Sequence, residues 1–164
     1  MELKRVVVTG IGAVSPLGNS AAETWQKLLD GVSGAAPITH FDATDFKTQF
    51  ACEVKGFKAE DFIDRKEARK MDPYCHYAMA AASMAMDDSA IDLESIDKNR
   101  VGVVFGVGIG GMKTFEDEIT NYALHKDTLG PKFNPFFVPK MIADICAGQI
   151  SIKYGFHGPN YITS

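Results

Sequence analysis

The chain has 164 residues, 46% of them hydrophobic and 23% charged, with a formal net charge of −4 and a pI near 5.5. That size buries a core without metal or disulfide staples, and the acidic balance excludes broad nucleic-acid binding, which needs an extended basic field. The three cysteines, Cys52, Cys75 and Cys146, show no CxxC spacing, and no cleavable leader or membrane-length apolar run is present, so a soluble protein of a reducing cytoplasm is expected.

In chain order, Arg5–Thr9 is a β-branched run ending at Gly10 and predicts a strand buried on both faces. The turn IGAVSPLGNS leads into a short helix, AAETWQKLLDG, with Trp25, Leu28 and Leu29 apolar and Gly31 as its stop. Residues 32–60 read as loops with minor strands. Asp72 and Pro73, as N-cap and first-turn proline, open a helix over 72–89 that is apolar nearly all round and therefore expected between layers. Val101–Phe105 predicts a second buried strand, running into GVGIGG. A polar helix TFEDEITNYALH follows, then the loop KFNPFFVPK, a buried helix over Met141–Tyr154 closed by Gly155, and a third extended run, HGPNYITS. The order strand, helix, strand, helix, strand with continuous apolar strands predicts an α/β fold with a mostly parallel sheet. Stopping inside a strand predicts a fragment.

Gly106, Gly108 and Gly111 fit the pattern GxGxxG between a strand and a helix. A dinucleotide site also needs a strand ending in an acid roughly 20 residues on. That stretch is helical here, so glycines for tight packing are the better reading and a nicotinamide-dependent oxidoreductase is a remote one. The four histidines lack metal-ligand spacing; His76 reads as a hydrogen-bonded core residue, and Cys75 and Cys146 as small core residues. Neither a metal site nor a catalytic constellation is expected in the chain. Arg65, Lys66, Arg69 and Lys70 make two i, i+4 pairs, a cationic ridge if helical, although Asp61, Asp64, Glu67 and Asp72 are interleaved and favour a self-paired surface.

Taken together, VVVTGIGAVSPLGN at 6–19, DRKEARKMD at 64–72, GVGIGG at 106–111, NPFFVPKMIADICAGQISIKYGFHGPN at 134–160 and the terminal YITS are far more specific. This combination resembles the N-terminal half of β-ketoacyl-acyl-carrier-protein synthases, the condensing enzymes of fatty acid elongation, closest to the synthase II subgroup. The resemblance implies a thiolase-like layered fold (αβαβα), residues 1–164 being most of the first βαβαβαββ half. It also implies a homodimer that takes substrates from the phosphopantetheine of acyl carrier protein and needs no other cofactor. The nucleophilic cysteine would sit in a strand-to-helix turn about three residues after Ser164. The catalytic histidines, the lysine and an oxyanion donor would belong to the C-terminal half, so the fragment alone is expected to be inactive.

By the same resemblance, Gly108 and Ile109 line the acyl pocket, with Ile109 gating chain length, and Phe137 reaches the pocket of the partner subunit. Asn160, Tyr161, Ile162, Thr163 and Ser164 form the strand that pairs across the dimer axis. Lys66, Arg69 and Lys70 dock the acidic carrier protein, which reverses the self-paired reading of the ridge. The alternative is a non-catalytic partner like the chain-length factors, which resemble these synthases but lack the cysteine.

Overall fold

The computed structural model describes residues 3–163. They form two compact units: residues up to Lys58 together with Ala80–Ile91, and Ala59–Met79 together with the rest of the chain from Asp92. One long helix contributes its first half to one unit and its second half to the other.

In the first unit, helix α1 (Ala21–Leu29) is capped by Ser20, whose side chain accepts the Glu23 amide at 3.1 Å. Glu23 closes the cap by accepting from Asn19 N at 3.0 Å and pairs with Lys27 one turn on. The minor strands expected in 32–60 are β1 (Ala36–Pro37) and β2 (Phe50–Ala51), paired antiparallel. Helix α3 (Pro73–Ser89) has the bounds that the Asp72-Pro73 start implied, and its alanine-rich second half receives the segment after Gly10 at very close range. A Cβ on Gly12 would lie 2.0 Å from the Ala81 carbonyl oxygen, and one on Gly10 would lie 2.2 Å from that of Ala85. These glycines exist for contact between backbone and helix. Ile11 N completes the contact by donating to Asp88 Oδ2 at 2.8 Å.

Arg5–Thr9 departs from expectation. The segment has no ladder, and Val6 and Val8 are 88% and 81% exposed. A strand is stable only against a neighbour, and no described strand lies beside this one. The apolar face of α1 is likewise uncovered, with Trp25, Leu28 and Leu29 exposed.

The second unit holds helix α2 (Arg65–Ala68), the first half of α3, and the strands β3 (Val103–Gly106) and β4 (Asn160–Thr163), paired parallel with Val103 opposite Asn160. Between these strands come α4 (Met112–Leu129), α5 (Phe137–Met141) and α6 (Ile145–Tyr154). Helix α4 is longer than TFEDEITNYALH at both ends. The single helix expected over Met141–Tyr154 is broken, because Ile142 is extended (ψ 130°) and its carbonyl turns away to accept the Tyr74 hydroxyl at 2.6 Å. The core is built from Met71, Cys75, Ala78, Met79, Val103, Cys146, Ala147, Ile150 and Phe156. Asn160 fastens β4 to α6, its Nδ2 donating to Ala147 O at 3.0 Å and Ser151 Oγ at 2.6 Å.

Candidate functional site

In the second unit, the loop between β3 and α4 carries the GVGIGG glycines. Its last two glycines are fixed by packing: Gly111 N donates to Met141 O at 3.0 Å, and a Cβ on Gly111 would meet Lys140 O at 2.2 Å. Gly110 adopts φ 102°, a region that side chains rarely enter. Gly106 and Gly108 have open space where a Cβ would go. The tight-packing reading of GVGIGG therefore holds for its second half.

This loop, the start of α4 and the end of α5 with the link after it line an open apolar cavity of about 310 Å3. Ile109 and Gly111 line it from the loop, Met112 and Phe115 from the first turn of α4, and Met141, Ile142 and Ala143 from the end of α5 and the link that follows it. Ile109 is 70% exposed at its rim. Phe115 also faces Phe137 at 6.2 Å between ring centroids, and Phe137 stacks on Phe133 at 5.6 Å, which stacks on Tyr122 at 4.9 Å. Ile109 and Phe115 share the lining, whereas Phe137 adjoins it only through Phe115 and Gly108 stays in the loop outside it.

A single buried carboxylate organises the cavity's surroundings. Asp72 is 3% exposed and is the buried charged residue of the described core. One oxygen accepts Tyr74 N at 3.2 Å in the first turn of α3. The other accepts both Thr114 N at 3.0 Å and Thr114 Oγ1 at 2.7 Å. Helix α4 begins at Gly111, which has no side chain to cap it. Asp72 supplies that cap from 42 residues away and so satisfies orphan amides of two helices at once. The sequence showed Asp72 as a cap for α3, but nothing local signals its second partner, nor the part played by Tyr74 and Thr114.

The cysteines behave as core. Cys75 and Cys146 are buried, and burial pushes their thiols up to about 12 and about 11, the former raised further by the neighbouring Cys146 and Asp72. They remain protonated and unreactive at neutral pH. Cys52 is exposed but sits beside β2, away from any strand-to-helix turn. His76 is half-buried and donates from Nε2 to Ala68 O at 2.8 Å, a satisfied structural histidine. Among the described residues no cluster of His, Cys, Asp and Glu could hold a metal ion, and no helix is long and apolar enough to cross a membrane.

The basic segment is only partly the ridge that i, i+4 spacing implied. Helix α2 ends at Ala68, and Lys70 N and Met71 N bond three residues back, so the turn tightens. Three of the four interleaved acids are engaged. Asp64 caps α2, Glu67 pairs with Lys70 at 2.6 Å, and Asp72 is buried. Arg65, Lys66 and Arg69 remain exposed, without an ion pair among the described residues. Tyr161 projects from the exposed face of β4, and Ser164 lies outside the described residues.

A family model, the β-ketoacyl synthase N-terminal domain, matches residues 3–164. The chain belongs to this family. Among curated relatives, this synthase domain is 44% identical over 164 residues to 3-oxoacyl-[acyl-carrier-protein] synthase 2 of Synechocystis sp., covering 99% of the chain and 38% of the relative. It is 47% identical over 161 residues to the protein of the same name from Coxiella burnetii, again covering 98% and 38%. The chain therefore spans about two-fifths of the length of the curated relatives it matches. Among solved structures, the ishigamide ketosynthase/chain length factor superposes with a TM-score of 0.84 at 26% identity, over 96% of this chain and 39% of that one. A type II polyketide ketosynthase in complex with its acyl-carrier protein superposes at 0.76 and 27% identity, over 99% and 41%. These neighbours establish the thiolase-like α/β fold read from the sequence, with the chain as its N-terminal part.

Proposed function

We propose that this synthase domain is the N-terminal part of a 3-oxoacyl-[acyl-carrier-protein] synthase that performs decarboxylative Claisen condensation in fatty acid elongation. An acyl group passes from the phosphopantetheine sulfur of acyl carrier protein to a cysteine thiolate. Malonyl-carrier protein then loses carbon dioxide, and the carbanion attacks the acyl carbonyl, breaking the enzyme's C–S bond. The observation that carries this reading is the match across residues 3–164 together with the shared name of the relatives. The protonated, buried state of Cys75 and Cys146 supports placing the nucleophile in the sequence beyond Ser164.

In this reading the domain supplies supporting equipment. The cavity beside Ile109 receives the acyl chain, and Phe137 borders the pocket across the dimer. Lys66, Arg69 and Lys70 meet the acidic carrier protein, a role favoured by the internal engagement of Asp64, Glu67 and Asp72, which leaves the positive charge of Lys66 and Arg69 outward. The solved complex of a related ketosynthase with its acyl-carrier protein supports the choice of partner. Asn160 to Ser164 pair across the two-fold axis of a homodimer, to which the exposed Tyr161 and the unpartnered edge of β4 among the described residues lend support. No further cofactor is required, and the protein works in the cytoplasm.

The test is a condensation assay with the full-length protein, acyl-carrier protein and malonyl-carrier protein. Release of carbon dioxide with formation of the 3-oxoacyl product is expected. The likeness to a ketosynthase/chain length factor favours one alternative, a non-catalytic partner. Such a protein would form no acyl-enzyme and would act only when mixed with a second, cysteine-bearing subunit.

A further inference from the structure

Besides the loop itself, two segments wall the cavity beside Ile109, and both are tied to one turn. On one side, Met112 and Phe115 stand on the first turn of α4, whose missing N-cap is provided by Asp72 through Thr114 N and Thr114 Oγ1. On the other, Ile142 belongs to the extended link between α5 and α6, and its carbonyl accepts the Tyr74 hydroxyl at 2.6 Å. Asp72 and Tyr74 are two residues apart and are themselves joined, Tyr74 N donating to Asp72 Oδ1. Neither bond follows from local propensity. Helix α4 starts at a residue with no capping group, and the Ile142 link breaks what would otherwise run on as one helix.

We propose that the turn Asp72–Tyr74 is a two-armed clamp that fixes the spacing of the two walls of the Ile109 cavity, making Asp72, Tyr74 and Thr114 positioning residues for acyl-chain length. The inference rests on the reading of that cavity as the acyl pocket. The physical basis is rigidity. The carboxylate is excluded from water and holds two helix starts, where an anion is favoured. The Tyr74 hydroxyl is pushed well above the ordinary phenol range, mainly by burial and further by the nearby thiols and acids, so it stays a hydrogen-bond donor. A chain reaching between the walls gains from each methylene buried against them, whereas a short chain that stops before Ile109 gains nothing from their spacing. Loosening either arm therefore penalises long chains selectively.

The experiment compares kcat/KM of the full-length enzyme for hexanoyl- and hexadecanoyl-carrier protein in Tyr74→Phe and Thr114→Val, with Thr114→Ser as the conservative control and thermal midpoints recorded for each. Loss of one hydrogen bond is expected to lower the long-to-short ratio about tenfold in Tyr74→Phe and in Thr114→Val. Thr114→Ser, which keeps the hydroxyl, should retain the parent ratio. Equal losses at both lengths, or an unchanged ratio, would overturn the clamp whatever happens to the midpoint. Ile109→Phe separates the two levels of the argument. If it excludes the hexadecanoyl chain while the clamp variants leave the ratio alone, the pocket reading stands and the clamp falls. If Ile109→Phe does not alter the ratio, the pocket reading itself fails.

Discussion

Cys75 and Cys146 show how burial decides chemistry at a single atom. Each thiol is shut off from solvent, and desolvation of the thiolate is the largest cause of its raised pKa. Iodoacetamide at neutral pH should accordingly modify Cys52 in the native protein and spare the two buried residues, with all three labelled after denaturation. Peptide mapping by mass spectrometry reads the outcome. The same shifts give a sign to the pH dependence. Both folded thiols hold their protons more tightly than unfolded ones, so their contribution is intact below the ordinary thiol value near 9 and is lost as pH rises towards about 12. The chain should lose stability through that alkaline window, measurable as a falling urea midpoint. Lys66, Arg69 and Lys70 act at the other extreme, in solvent. Reversing their charges in the full-length enzyme should raise KM for carrier-linked substrate about tenfold and flatten its salt dependence, with kcat little changed. An unaltered KM would remove the docking assignment.

At the scale of elements, two glycine contacts set how closely backbone can approach backbone. Gly12→Ala would press a methyl to 2.0 Å from Ala81 O, and Gly111→Ala would press one to 2.2 Å from Lys140 O. Each should cost about 1–3 kcal/mol by forcing neighbours apart, read in chemical denaturation. Gly111→Ala should in addition disturb the cavity beside Ile109. Much of this level was legible in the sequence because the signals are local. Asp72-Pro73 opens α3, and Gly155 ends α6. The misses share one cause, which is partnership at a distance. Met141–Tyr154 reads as one helix because nothing near Ile142 announces the Tyr74 hydroxyl that takes its carbonyl. Asp72 reads as a cap for one helix because Thr114 is 42 residues away. The i, i+4 spacing of the basic residues implies a helix through Lys70, whereas α2 stops at Ala68 and Glu67 draws Lys70 to itself. Arg5–Thr9 reads as a buried strand from its β-branched run, but a ladder needs a neighbour that no described strand provides.

For the whole molecule, the apolar surface left open is the main physical statement. Val6, Val8, Trp25, Leu28, Leu29 and Ile152 are exposed large side chains, more than scattered surface hydrophobes account for. The chain spans 38% of the length of its Synechocystis relative, and under the proposed function the remainder of the synthase and a dimer partner would cover these faces. The isolated 164-residue chain should therefore aggregate or bind a hydrophobic dye strongly, and co-expression with the C-terminal portion should abolish that binding. Under the proposed function, this domain walls the acyl pocket of a condensing enzyme whose nucleophile follows it in sequence. The most direct measurement is to incubate the full-length protein with acyl-carrier protein, digest it, and locate the acyl thioester by mass. A single acylated cysteine C-terminal to Ser164 is expected. An acyl group on Cys52, Cys75 or Cys146, or none on any cysteine, would contradict it.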